Sequence, residues 1–279
     1  MDGVVNDDIF VALATRPDLQ SLEFQKAITA ELVSLAKSRQ YQNYGKRQLF
    51  PQLRKLVCTG EADGFFSLLP HLTQPTHLET TLLGSHVSSV EISGSLLDIA
   101  TYCPNLKFLN LECTAAEDIY LSPDELVELV QRLQHLEDMH ISGDRVSVPG
   151  LETVHITKIA EALPNVKRLT LAFQCTLTEA ALVEIGRICG RTLTECMIWG
   201  SYNLSNLEES DISFPLLKEL SLGKVVPSGI PDDIATEAAN NVRFLRRVVP
   251  NLETVHFEVE DSFSIEISSE INFPGDEGE

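Results

Sequence analysis

The 279-residue chain is well supplied with two residue types that do chemistry, six cysteines and seven histidines. The cysteines, Cys58, Cys103, Cys113, Cys175, Cys189 and Cys196, include no C-x-x-C pair, and no histidine spacing resembles a zinc site. Cys58 and Cys196 fall at inward strand positions and Cys103 and Cys189 at helix ends, so buried, reduced thiols are expected and no metal site is predicted. The histidines are His71, His77, His86, His135, His140, His155 and His256, and none pairs with a nucleophile. Phosphate-cradling G-x-x-x-x-G-K-[ST], dinucleotide-type G-x-G-x-x-G, H-E-x-x-H and G-x-S-x-G are all missing. The expectation is a protein that is not an enzyme and uses no cofactor.

The remaining chemistry is that of binding. Trp199 is the only tryptophan, with Met197 two residues before it and Tyr202 in the loop expected to follow. Tryptophan, tyrosine and arginine dominate the desolvated centres of protein interfaces, so Phe108, His140, Arg168, Met197, Trp199 and Tyr202 form the candidate partner-binding patch. They span almost a hundred residues of sequence. Only a periodic structure brings them to one face.

Such a period is present. PDLQSLEF (Pro17–Phe24), PQLRKLVC (Pro51–Cys58), PNLKFLNL (Pro104–Leu111), PNVKRLTL (Pro164–Leu171), PLLKELSL (Pro215–Leu222) and PNLETVHF (Pro250–Phe257) repeat one phrase. THLETTLL (Thr76–Leu83), QHLEDMHI (Gln134–Ile141) and RTLTECMI (Arg191–Ile198) are weaker copies. The nine anchors, Leu19, Leu53, Leu78, Leu106, Leu136, Val166, Leu193, Leu217 and Leu252, recur about every 29 residues, the length of one leucine-rich repeat. Neighbouring strand residues point to opposite faces, so the later apolar pair of each L-x-x-L-x-L phrase enters a core. The residues between them face outward. The third positions read Ser21, Lys55, Thr80, Phe108, Asp138, Arg168, Glu195, Glu219 and Thr254, and the fifth Glu23, Val57, Leu82, Asn110, His140, Thr170, Met197, Ser221 and His256. The seventh positions add Glu112, Ser142, Ala172 and Trp199.

Helices are predicted between the phrases. Ser122-Pro123-Asp124-Glu125 offers a capping box, and Thr176 to Glu179 a second, with Gly190 placed as a left-handed terminator. Ala27–Lys37, Ser95–Tyr102, Thr153–Leu163 and Asp232–Val249 are further helical stretches, the last ending in Arg243, Arg246 and Arg247. Strand, loop, helix and loop in repetition give an α/β leucine-rich-repeat solenoid, a right-handed horseshoe with a parallel sheet on its concave face and helices on its convex face. Residues 1–258 are expected to form one domain of about nine repeats, and 259–279 an acidic, partly disordered tail. Ile9–Leu13 reads as the remnant of a helix, leaving the first edge uncapped.

The formal charge is −20, from 41 acidic against 21 basic residues, which argues against nucleic-acid binding, favours a protein partner and suits a basic one. No apolar run reaches the roughly 20 residues of a membrane helix. Met1–Asp8 is acidic and lacks the features of a secretory signal, so an intracellular site, cytoplasmic or nuclear, and no membrane partner are expected.

Cys103-Pro104-Asn105-Leu106, Leu163–Leu171 and Gly186-Arg187-Ile188-Cys189 resemble the leucine-rich region of fungal F-box proteins. That resemblance covers most of the chain and implies capture of ubiquitin-ligase substrates by the repeats. In the family a preceding helical module binds a Skp1-type adaptor. Asp7–Thr15 lacks the Leu-Pro start of such a module, so the adaptor is not an expected partner here. Repeats of this length also resemble ribonuclease inhibitors and GTPase-activating proteins, leaving an acidic inhibitor or scaffold of a basic protein, or a GTPase regulator, as alternatives.

Overall fold

The structure is a computed structural model that describes residues 7–44, 48–84, 89–115, 118–207, 210–228 and 234–272. Each of the nine leucine phrases carries a strand: β1 (Ser21–Ile28), β2 (Lys55–Glu61), β3 (His77–Gly84), β4 (Phe108–Ala115), β6 (Asp138–Ser147), β7 (Arg168–Gln174), β8 (Glu195–Tyr202), β9 (Glu219–Val225) and β10 (Thr254–Phe257). The two-residue β5 (Ile119–Tyr120) pairs with β6. Strand order follows the chain, β1-β2-β3-β4-β6-β7-β8-β9-β10, and the described pairings are parallel. The helices are α1 (Asp7–Ala14), α2 (Ala30–Tyr44), α3 (Ala62–Leu68), α4 (Ser89–Tyr102), α5 (Pro123–Arg132), α6 (Thr153–Ala162), α7 (Glu179–Cys189), α8 (Ile234–Val248) and α9 (Ser262–Asn272). This alternation is the α/β leucine-rich-repeat solenoid that the periodicity predicts.

A recurring hydrogen bond sets the strand register. The carbonyl just before each strand accepts two consecutive N–H groups from the next phrase: Gln20 from Arg54 and Lys55, Arg54 from Thr76 and His77, Thr76 from Lys107 and Phe108. Glu137, Lys167, Thr194 and Lys218 repeat the pattern farther along. The phrase anchors Leu53, Leu106, Leu136, Val166, Leu193 and Leu217 are buried beside these turns. Burying them offsets the entropy of fixing each turn.

Two compact units divide the chain, where the sequence suggests one domain. The first comprises Met1–Leu136 and Ile141–Ser147. Here α1 covers the apolar end: Phe10, fully buried, meets Phe24 and Phe50 with ring centroids 5.1 and 5.6 Å apart. The expectation of an uncapped edge therefore fails for the core, which α1 closes. Lys26 pairs with Asp7, and Arg39 with Asp8, holding the same helix.

The second unit comprises Glu137–His140 and Val148–Glu279. Residues 262–272, expected to belong to an acidic tail, form α9, because Phe263, Ile267 and Ile271 repeat at helical spacing and bury. Asp261 and Ser264 cap it reciprocally, each side chain bonding the other's backbone N–H at 2.9 Å. Asn272 then behaves as a strand in miniature. Its Nδ2 donates to the Val255 carbonyl (2.9 Å) and its Oδ1 accepts from the Val255 N–H (2.8 Å), so a side chain satisfies the edge of β10. Of the stretch Asn272–Glu279 expected to be disordered, Asn272 ends α9, and 273–279 lie outside the described residues.

Local signals differ from expectation in three places. Ser122 and Thr178 stand at the N-caps of α5 and α7, but neither side chain makes a cap hydrogen bond. Glu179 instead accepts from the Asn206 side chain (2.7 Å) and the Asn203 N–H (3.3 Å). Gly190 is right-handed, φ −56°, and is small for another reason: a Cβ there would lie 2.3 Å from the carbonyls of Gly186 and Ser213.

Candidate protein-docking surface

On every strand one face enters the core and the other does not. In β7, Leu169 and Leu171 are buried while Arg168 and Thr170 are not, and β8 alternates in the same way between Cys196 and Ile198 inward and Glu195, Met197 and Trp199 outward. The outward positions are the candidate site.

In the first unit the register corrects the sequence reading of β3. Leu78 pairs with Leu56 and Leu109, so it is the second apolar residue of its phrase and Pro75, buried, takes the place of the first. Thr80 and Leu82, expected outside, are therefore inside, 1% and 2% exposed. The Cys58 thiol donates to the Thr80 hydroxyl at 3.5 Å, which makes the polar inward residue tolerable. His77 and Glu79 face outward instead, and the His77 ring stacks on Phe108 at 3.9 Å with 7° between planes. His77 Nε2 also lies 3.6 Å from Glu79 Oε2, and Thr81 donates to Glu112 at 3.2 Å. Phe108 is therefore on the outward face as expected, its ring half-buried against a histidine.

In the second unit, Asp138 and His140 on β6, Arg168 on β7, and Glu195, Met197 and Trp199 on β8 share the outward face. Arg168 grips Asp138 with two bonds, Nε to Oδ1 at 2.8 Å and Nη2 to Oδ2 at 3.0 Å. These bonds raise the guanidinium above its usual pKa, and Glu195 adds a smaller pull. Met197 pairs in register with Thr170 on one side and Ser221 on the other. Trp199 follows on the same strand, with Gly223 beside it on β9, where a Cβ would lie 3.2 Å from the Trp199 Cα and 2.5 Å from Gly200 backbone atoms. Large side chains between small neighbours form a low ridge. His140 is half-buried on the first strand of this unit.

Tyr202 is a correction. It ends β8 rather than lying in a loop, is fully buried, and its hydroxyl donates to the carbonyls of Ile198 and Trp199, both at 3.3 Å. Burial pushes its pKa well above the usual tyrosine value. It supports Trp199 from below and offers a partner no surface. The Cys175 thiol donates to the same Trp199 carbonyl at 3.0 Å.

Burial likewise raises the thiols, Cys58 and Cys189 to about 11 and Cys103, Cys113 and Cys196 to about 12. These are inert thiols rather than nucleophiles. Among the described residues no three histidine, cysteine or acidic side chains gather where they could hold a metal, and no helix is long and apolar enough to cross a membrane.

Comparison with known proteins bears on the fold alone. No family model matches the chain. No curated protein matches it either. Among solved structures it is similar to a chain of the crystal structure of the Rad7 and Elc1 complex in yeast, with a TM-score of 0.52 and 14% identity over 90% of this chain. The match spans 66% of that chain, just under two thirds of its length.

Proposed function

We propose that this chain is a non-catalytic protein-interaction module whose partner docks on the outward face of the parallel sheet, in the manner of the substrate-capturing repeats of an F-box leucine-rich-repeat ubiquitin-ligase receptor. One observation carries the reading. Met197 and Trp199 stand outward on β8, away from the core that the same strand builds with Cys196 and Ile198. Large apolar groups are unnecessary on a surface that meets only water, and they are the groups that give binding energy when a partner covers them. The inert thiols and the lack of a catalytic motif fit a module that binds without reaction. The chain of similar fold comes from a complex of two proteins, which agrees with a protein partner.

Affinity capture with the full chain, followed by identification of the bound proteins, tests this reading. Proteins recovered by the wild type and lost from a Trp199→Ala variant of unchanged melting temperature support it. Identical recovery by both chains contradicts it. A recovered GTPase whose nucleotide turnover accelerates would replace it with the regulator reading.

A further inference from the structure

The charges on the second unit's outward face do not balance. Along the strand entrances five carboxylates, Glu137, Asp138, Glu195, Glu219 and Glu253, meet three cations, Lys167, Arg168 and Lys218. Each cation holds an outer carboxylate: Lys167 binds Glu137 at 2.6 Å, Arg168 clasps Asp138, and Lys218 binds Glu253 at 2.6 Å. Glu195 and Glu219 form no ion pair among the described residues. Arg168, opposite Glu195 on β7, and Lys218, next to Glu219 in the chain, attract them without a direct ion pair.

These two carboxylates stand directly opposite one another, in register on β8 and β9. In the same row Arg168 stands opposite Glu195 on β7 and Thr254 opposite Glu219 on β10, so two carboxylates share one cation that already clasps Asp138. The next outward residues along β8 are Met197 and Trp199, with Ser221 and Gly223 beside them on β9. Two negative charges at one end, followed by a thioether and an indole above small neighbours, match a long side chain that is apolar along its stem and cationic at its tip.

We propose that the docked partner places a basic side chain here, arginine or lysine, with its charge between Glu195 and Glu219 and its stem along Met197 and Trp199. This rests on the reading of the sheet face as a docking surface and adds the chemistry of what docks. Charge complementarity selects the occupant. An acidic or purely apolar segment would leave the carboxylate pair unpaired and newly desolvated.

Trp199, as the only tryptophan, makes its own fluorescence the readout. The full chain is titrated at an ionic strength of about 0.15 M with a blocked nine-residue peptide of alternating arginine and leucine. A counterpart with citrulline at every arginine keeps the shape and removes the charge. The expected result is a saturable change in Trp199 emission with the arginine peptide, at least tenfold weaker in Glu195→Gln/Glu219→Gln and unchanged in Glu260→Gln/Glu266→Gln, which removes the same charge elsewhere. Equal weakening in both double variants overturns the proposal, because the attraction is then only that of net charge. Equal binding of the citrulline peptide also overturns it while leaving the docking face intact. Failure of both peptides to alter the emission removes both the proposal and the docking face.

Discussion

The outward faces of the two units are built on the same ladder and carry opposite solutions. In the first unit outward groups engage one another: His77 stacks on Phe108 and approaches Glu79, and Thr81 donates to Glu112. The second unit keeps an in-register carboxylate pair, with Arg168 opposite one member, beside a half-buried thioether and indole on the outward face. Inward, the two are interchangeable, with leucines, valines, isoleucines and cysteines at equivalent places. Repetition thus fixes the scaffold, and on the reading proposed above the differences on its outer face mark where a partner docks.

Alkaline titration should have the largest effect and can break the claim of a common interior. In the unfolded chain thiols ionise near 9.0, whereas in the fold Cys58, Cys103 and Cys113 in the first unit and Cys189 and Cys196 in the second are held at about 11 to 12. Above pH 9 the unfolded state therefore binds fewer protons than the folded state, and stability falls as pH rises toward 12. Each tenfold difference in a thiol's proton affinity between the two states is worth about 1.4 kcal/mol, which comes to several kcal/mol over the five cysteines. Urea unfolding at pH 8 and pH 10.5 should show the loss. Stability independent of pH over that range would mean that the thiols are not buried.

A single core truncation comes next. Leu169→Ala removes a side chain only 1% exposed and should cost about 2–5 kcal/mol in chemical denaturation. Because Arg168 and Thr170 keep their outward places, peptide binding by the folded fraction should survive. Loss of binding at full foldedness would erase the distinction between the two faces.

At the far edge, Asn272→Asp preserves shape but removes the donor to Val255. The expected loss is about 1 kcal/mol per hydrogen bond, with faster amide exchange at Val255 than at Leu220 on the neighbouring strand. Unchanged exchange at Val255 would show that α9 covers β10 by apolar packing alone. The smallest effect belongs to the exposed Arg168–Asp138 clasp. A double-mutant cycle should give about 0.5–1 kcal/mol, shrinking in salt, since both groups keep contact with water.

Much of the scaffold was legible in the sequence because the phrase repeats both its leucines and its spacing. All nine phrases carry strands, and helices rise where Pro123, Thr153 and Glu179 begin them. Reading failed where one signal stood for another. At Pro75 a proline occupies a leucine's place, which slid the third repeat by three residues and hid His77 and Glu79 as outward groups. Tyr202 looked like a loop aromatic because β8 runs on through Gly200 with a shifted register to β9, and no local pattern announces that extension. The helix α9 was obscured by its acidic surroundings, although Phe263, Ile267 and Ile271 already showed its spacing. Trp199, Met197, Arg168 and Phe108 were placed on the correct face by strand alternation alone. Charge pairing was not visible, because which carboxylate keeps a cation depends on neighbours one repeat away along the chain.

The most direct test compares the wild type with Met197→Ala/Trp199→Ala in affinity for a protein recovered by capture, with melting temperature measured in parallel. At least a tenfold loss of affinity, about 1.4 kcal/mol, at unchanged melting temperature is the predicted result. Equal affinity of the two chains for that partner would contradict docking on this face.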